Sequence, residues 1–282
     1  MASQSLNGRV RALHMRLGRE LVRARAGDVT GVHQARVGTR RLREAVGALG
    51  TLLPSRVRRR ARRALRRLTR ALGPVRELDV TCARLDLEAH AHGWPPRTVR
   101  RVATDLRRAR RVALTRCRRV LDEDAWGGVA PDVRRAGCTI EREDSPAALC
   151  GAAAERRRAR ARALLSGLGN LGALYVPDHL HAVRIAVKQL RYALEWEGML
   201  GRRTWIRERR QLEHAQDVLG DWHDLLMVQA HVDRIRRSAD PAHPVTGAGD
   251  MLAAIERQCR QRHAGILAEV PRLTRLAERA RR

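Results

Sequence analysis

Along most of this chain apolar residues recur three and four positions apart, the spacing of one face of an α-helix. Long Ala/Leu/Arg stretches follow one another. Short Gly or Pro breaks separate them near Gly27–Asp28, Pro54, Gly73–Pro74, Pro95–Pro96, Gly127–Gly128, Gly167–Gly172, Pro177, Gly201, Gly220 and Pro241–Gly249. Counting stretches between breaks predicts about ten helices. No segment alternates in the β-branched pattern of a strand, so the expected class is all-α. The stretch 122–146 stands apart, with Asp122, Glu123, Asp124, Glu141, Glu143 and Asp144 set among Gly and Pro. It reads as an irregular connector with room for one short helix.

The pattern repeats. Residues 33–46 read HQARVGTRRLREAV, and residues 181–194 read HAVRIAVKQLRYAL. Without a gap, His33 aligns with His181, Arg36 with Arg184, Val37 with Ile185, Arg40 with Lys188, Leu42 with Leu190, and Arg43 with Arg191. Downstream, Leu72-Gly73 is followed by Arg76-Glu77-Leu78-Asp79, and Leu219-Gly220 by His223-Asp224-Leu225. The offset is 148 residues at the histidines (33 to 181) and 147 at the Leu-Gly pairs (72 to 219). A shared order at a nearly constant offset reads as an internal duplication. The expected organisation is a first helical bundle half at 1–125, a connector at 126–146, and a second half at 147–282. The two bundles would be related by a pseudo-twofold axis.

On a helical wheel of about 100° per residue, His33, Arg36, Arg40 and Arg43 fall within an arc of about 80°. Ala35, Leu42, Val46, Leu49 and Leu53 lie opposite. The second copy places His181, Arg184, Lys188 and Arg191 opposite Val183, Leu190 and Leu194. A basic row opposite an apolar face is ordinarily the solvated side of an amphipathic helix. Two features speak for an anion-binding face instead. The same four positions carry His, basic, basic and basic in both copies, and only Glu44 and Glu195 sit near the arc.

Charge strengthens that reading. The 58 Lys and Arg against 30 Asp and Glu leave a formal charge of +28, and Lys188 is the sole lysine. So large an excess weakens the compact state by self-repulsion, which an anionic partner relieves. Guanidinium groups grip phosphate oxygens in pairs, and a histidine beside a polyphosphate should have its pKa raised. Further basic runs crowd Arg58–Arg70 and Arg202–Arg210. Among them Arg56 matches Arg203 and Arg63 matches Arg210, and Arg63 and Arg210 are the added site candidates. Glu77, Asp79, Asp221 and Asp224 read as partners for the stripe's arginines or for helix starts.

Other chemistries find no support. The five cysteines (Cys82, Cys117, Cys138, Cys150 and Cys259) contain no C-x-x-C pair, which favours reduced thiols. His90/His92 and His179/His181 are two apart and point to different helix faces, so no metal, cofactor or catalytic residue is expected. There is no G-x-x-x-x-G-K-[ST] loop and no HExxH. With no apolar run near a membrane span and no signal-peptide core, the expected setting is soluble and cytoplasmic, without a membrane partner.

The segments VHQARVGTRRLREAV, LGPVRELDV, LHAVRIAVKQLRYALE and LGDWHDL together resemble the paired signatures of the CHAD family, the conserved histidine α-helical domain. The resemblance spans nearly the whole chain. It implies two four-helix-type bundles with a basic groove or pore between them, binding of inorganic polyphosphate, and association with polyphosphate granules. The implied binding residues are His33, Arg36, Arg40 and Arg43 with His181, Arg184, Lys188 and Arg191. The ExExK motif of the triphosphate tunnel domain carried by some members is absent from this sequence, so the expectation is non-catalytic binding. Two alternatives remain open: a nucleic-acid-binding basic protein, the charge also allowing weak non-specific nucleic-acid binding, and an enzyme acting on polyphosphate or phosphate esters. Few aromatics are present for base stacking, which disfavours the first.

Overall fold

A computed structural model describes residues 6–122, 126–135, 146–200, 205–239 and 245–282 of the chain. Eight long helices carry most of them: α1 (Leu6–Ala26), α2 (Val29–Ala48), α3 (Ser55–His92), α4 (Pro96–Asp122), α5 (Pro146–Gly169), α6 (Pro177–Met199), α7 (Ile206–Arg237) and α8 (Ala248–Arg281). A 3-10 turn at Gly50–Leu52 links α2 to α3. Among the described residues there is no strand, and no helix is long and apolar enough to cross a membrane.

Local chemistry sets where the stripe-bearing helices begin. Gly27 adopts φ 92°, a left-handed conformation that suits glycine, and turns the chain out of α1. Asp28 then caps α2, its carboxylate accepting from the Thr30 N–H at 2.8 Å. Pro177 opens α6, where a missing N–H costs nothing.

Two expected breaks are absent, since α3 runs through Gly73–Pro74 and α7 runs through Gly220. An interior proline costs a helix about 3 kcal/mol and an interior glycine about 1 kcal/mol. Burial on the opposite face outweighs both. Leu72 and Val75 are fully buried and Leu78 nearly so, as are Leu219, Trp222 and Leu225, and each such side chain contributes roughly 2 kcal/mol. Pro74 itself faces solvent.

Helices α1 to α4 pack in sequential order, with α4 returning to touch α1, and α5 to α8 repeat this order with α8 against α5. The two sets meet where α2 packs on α6 and α3 on α7. The apolar core divides elsewhere than at 126–146. One cluster joins α1 and α2 to the first part of α3 (Ala61 to Val75) and the end of α4 (Leu114, Cys117), and also takes in Trp196 of α6. The other joins α5 to α8 to the later part of α3 (Leu78, Leu85) and the start of α4 (Val102, Ala103, Leu106). The α3–α4 hairpin is thus long enough to serve both cores.

Part of the expected connector is packed structure. Residues 130–135 are helical, and Trp126, Val129, Ala130 and Val133 are buried in the first core. The Trp126 indole N–H donates to His14 Nδ1 at 2.9 Å. Glu123, Asp124, Glu141, Glu143 and Asp144 lie outside the described residues, as do Cys138, Gly201, Arg202, Arg203 and Pro241. Cys82, Cys117, Cys150 and Cys259 are free thiols.

Ion pairs clamp the seam between the sets. Glu44 of α2, nearly buried, takes Arg156 and Arg160 of α5, each at 2.9 Å. Arg160 also donates to Gln189 of α6 at 2.6 Å. Arg41 of α2 pairs with Glu195 of α6 at 2.9 Å. Removing one partner of such a buried group strands the others, so Glu44→Ala should lower stability by about 3 kcal/mol, read as a lower urea midpoint at unchanged helical content.

Candidate functional site

The stripes of α2 and α6 meet. Because these two helices pack against each other across the seam, His33, Arg36 and Arg40 from one and Arg184, Lys188 and Arg191 from the other line a single cavity of about 510 Å³. Helices α3 and α7 complete the walls, with Arg76, Glu77 and Val80 on one side and Gln216, Gly220, His223, Asp224 and Met227 on the other. A smaller recess of about 170 Å³ shares Arg40, Arg184, Lys188 and Tyr192 with the cavity, and Arg43 lines it too. Several positions matched by the sequence offset share this hollow: Arg36 with Arg184, Arg40 with Lys188, Arg76 with His223, and Glu77 with Asp224, together with Val80 and Met227 at the same spacing.

The LGDWHDL segment shows how α7 divides its faces. Leu219, Trp222 and Leu225 are buried, and the Trp222 indole N–H donates to the Tyr175 hydroxyl at 2.9 Å. One step round the helix, Gly220, His223 and Asp224 face the cavity. In LGPVRELDV, Leu72, Val75 and Leu78 are the buried positions, leaving Arg76 and Glu77 on the cavity side. Gly73 lies directly beneath the Arg36 guanidinium: a Cβ there would sit 3.0 Å from Nη1. The glycine lets α3 come close enough for Arg36 to lie across it.

The cations at the centre are short of counter-charge. Of the acids near the stripes, Glu44 is engaged by Arg156 and Arg160 and Glu195 by Arg41, all outside the rows, and Glu213 holds only the outermost cation, Arg191, at 3.3 Å. Among the described residues, no carboxylate forms an ion pair with Arg36, Arg40, Arg43, Arg76, Arg184 or Lys188. Four carboxylates do line the cavity. Glu77, Asp217 and Asp221 are exposed, whereas Arg36, Arg40, Arg184 and Lys188 are half-buried. Asp221 lies 3.4 Å from Arg84, outside the stripes. Arg184 Nε, a donor, and His223 Nδ1, a donor or an acceptor according to the ring's tautomer, are buried without a hydrogen-bond partner.

Burial and mutual repulsion show in the titration of these groups. Loss of solvation, then Arg184, Arg40 and Arg36, push Lys188 down from 10.5 to about 6. Burial and neighbouring cations bring Arg36 to about 10 and His223 to about 3. His33, His181 and Arg184 also fall below their ordinary values, chiefly through burial. Neighbouring cations add to burial at each ring, although Asp178 and Glu77 oppose them at His181. Asp224, by contrast, rises through burial despite Arg184 and Lys188.

The remaining sequence candidates are dispersed. His181 is exposed, its ring 5.4 Å from that of His223 at the edge of the site. Arg191 reaches the cavity but is held by Glu213, by Gln216 at 3.1 Å, and over the Tyr192 ring at 4.5 Å. Arg63 lines neither the cavity nor the recess and lies instead in the groove between α3 and α4. Arg210 is exposed and lines neither the cavity nor the recess. The helix phase that buries Leu65 and Leu212 turns both arginines away from the seam. Conversely Arg76, Tyr192, Gln216 and His223 line the site without having stood out as candidates. Of these, Arg76 and His223 carried a signal, since both follow a Leu-Gly pair at matched offset. Asp79, expected near the stripe or a helix start, pairs instead with Arg110 of α4 at 2.5 Å. Among the described residues, no group of three or more His, Cys, Asp or Glu is placed to hold a metal ion.

Comparison with known proteins agrees with this architecture. By fold the chain is similar to the crystal structure of the CHAD domain from the plant Ricinus communis, with a TM-score of 0.71 and 18% identity over 96% of this chain and 93% of that one. It is also similar to PptA from Streptomyces chartreusis, with a TM-score of 0.64 and 16% identity over 97% and 98% of the two chains. No curated protein matches by sequence. The family model for the CHAD domain matches residues 9–233, and the chain belongs to the CHAD domain family.

Proposed function

We propose that this protein binds inorganic polyphosphate, without catalysis, in the cavity between α2 and α6, and that such binding directs it to polyphosphate granules. One observation carries the reading: Arg36, Arg40, Arg184 and Lys188 converge from two helices with no ion-pair partner among the described residues. Two unit charges about 8 Å apart repel by roughly 2 kcal/mol at an effective dielectric of about 20, so a filled cavity replaces repulsion with attraction. The donors are forked guanidiniums and one ammonium, which suit phosphate oxygens. A hollow of about 510 Å³ has room for a thin chain of phosphates.

Changing Arg36, Arg40, Arg184 and Lys188 together to Glu should weaken binding of long-chain polyphosphate at least about 100-fold, since each charge-assisted bond contributes roughly 1.5–3 kcal/mol. Circular dichroism should show the helices intact. Arg63→Ala with Arg210→Ala should leave affinity within about threefold, because exposed charges outside the cavity act only through screened attraction. Affinities for polyphosphate, duplex DNA and heparin at matched physiological salt provide the readout. Equal affinity for DNA would overturn the reading, and phosphate release over hours would overturn its non-catalytic part.

Binding should also take up protons. Near pH 8 the ligand-free Lys188 is largely neutral, its pKa lying at about 6, and a polyanion favours the ammonium. Calorimetry in buffers of different ionisation enthalpy should detect net proton uptake at pH 8. Affinity should fall as pH rises above about 6. Without ligand the sign for stability is opposite. The unfolded chain holds the extra proton between about 6 and 10.5, so this group's contribution rises with pH across that window. Lys188→Met should remove most of both effects.

A further inference from the structure

A larger hollow, about 800 Å³, lies away from the central cavity, in the groove between α3 and α4. Its floor is apolar, formed by Ala71 and Pro74 of α3 with Ala109, Val112, Ala113 and Val120 of α4. Val112 is 47% exposed, and Ala71, Ala109, Ala113 and Val120 are only half-buried. The walls are basic, with Arg66 and Arg70 on α3 and Arg108 and Arg116 on α4. The one acid lining it, Asp105, is already paired with Arg234. Among the described residues no carboxylate pairs with any of the four wall arginines.

Neither scaffold nor solubility requires this arrangement. At the 147-residue offset of the Leu-Gly pairs, Arg66 and Arg70 correspond to Glu213 and Asp217, so the second half does not repeat these two arginines. A merely solvated helix face shows polar residues without a continuous apolar strip between them. Here the strip follows α4 from Ala109 to Val120, and the lining from Asp105 to Val120 extends about 22 Å at 1.5 Å per residue. That length suits three to four turns of a second helix. A flat bilayer does not follow a concave floor set between two rows of arginines. A duplex would meet the arginines and leave the apolar floor uncovered.

We propose that the α3–α4 groove is a docking site for an acidic amphipathic helix of a partner protein. Its apolar stripe would cover Ala109, Val112 and Ala113, and its flanking Glu or Asp side chains would pair with Arg66, Arg70, Arg108 and Arg116. This goes beyond polyphosphate binding and uses none of the cavity residues.

The test uses the full chain and a fluorescein-labelled synthetic peptide of about 16 residues, with Leu and Ala at helical spacing and Glu on both flanks. Controls are a peptide of the same composition with the apolar spacing scrambled, and vesicles of phosphatidylglycerol in phosphatidylcholine. At about 0.15 M salt the patterned peptide should bind at least about tenfold more tightly than the scrambled one. Val112→Asp, and separately Arg108→Glu with Arg116→Glu, should each weaken it at least about tenfold while polyphosphate affinity stays within about twofold. All three side chains are exposed, so the variants should keep their circular dichroism. Equal binding of the two peptides, or undiminished binding to the variants, would overturn the proposal. So would vesicle binding that depends on Val112 in place of peptide binding, or self-association in sedimentation that Val112→Asp abolishes. These last two results would assign the groove to a lipid surface or to a second copy.

Discussion

The contact of α2 with α6 brings like charges together, and much of the molecule is arranged around that fact. On an isolated amphipathic helix, His33, Arg36 and Arg40 would face water, where their repulsion is screened. Across the seam they meet Arg184 and Lys188 in a half-buried cavity, where screening is weaker. The depressed Lys188 and Arg36 record the cost. What sustains it is apolar burial on the other faces of the same helices, from Val32, Leu42 and Val46 on α2 to Val183, Val187 and Leu190 on α6. Glu44 and Glu195 clamp the seam through arginines outside the stripes, so the clamp does not neutralise the cations it holds together.

This separation of roles gives the cavity its chemistry. Its acids are mainly exposed, its cations half-buried, and two buried polar atoms, Arg184 Nε and His223 Nδ1, lack partners. A bound polyanion would supply the missing charge and acceptors together. It would also favour the ammonium of Lys188, which ties binding to proton uptake. The outer groove differs in what lies beneath its arginines. There the floor is apolar, and a ligand must cover it as well as pair with the rim. The two arginine-lined hollows thus differ in the surface under the guanidiniums.

Much of the fold could be read from periodicity. The 3.6-residue spacing identified helices, and Gly27–Asp28, Pro54 and Pro95–Pro96 marked real ends. Gly73–Pro74 and Gly220 did not end helices, because propensity is local and the burial of Leu72, Val75, Leu219 and Trp222 is not. In the site, the aligned rows at His33 and His181 identified the residues of two facing helices. Arg63 and Arg210 matched by the same alignment, yet helix phase carried them away from the seam. Tyr192 and Gln216 had no sequence signal, since nothing in one dimension says which faces of α6 and α7 border a hollow.

The amino-acid order by itself determined the helical class, the two matched cationic rows and the excess of positive charge, because each depends only on spacing and composition along the chain. Tertiary structure alone decided that the rows share one cavity, that Glu44 and Glu195 pair with arginines outside the rows, and that α3 and α4 serve both cores. Those outcomes depend on which helices touch and at what rotation. Both are set by the burial of distant apolar side chains, which local spacing does not encode.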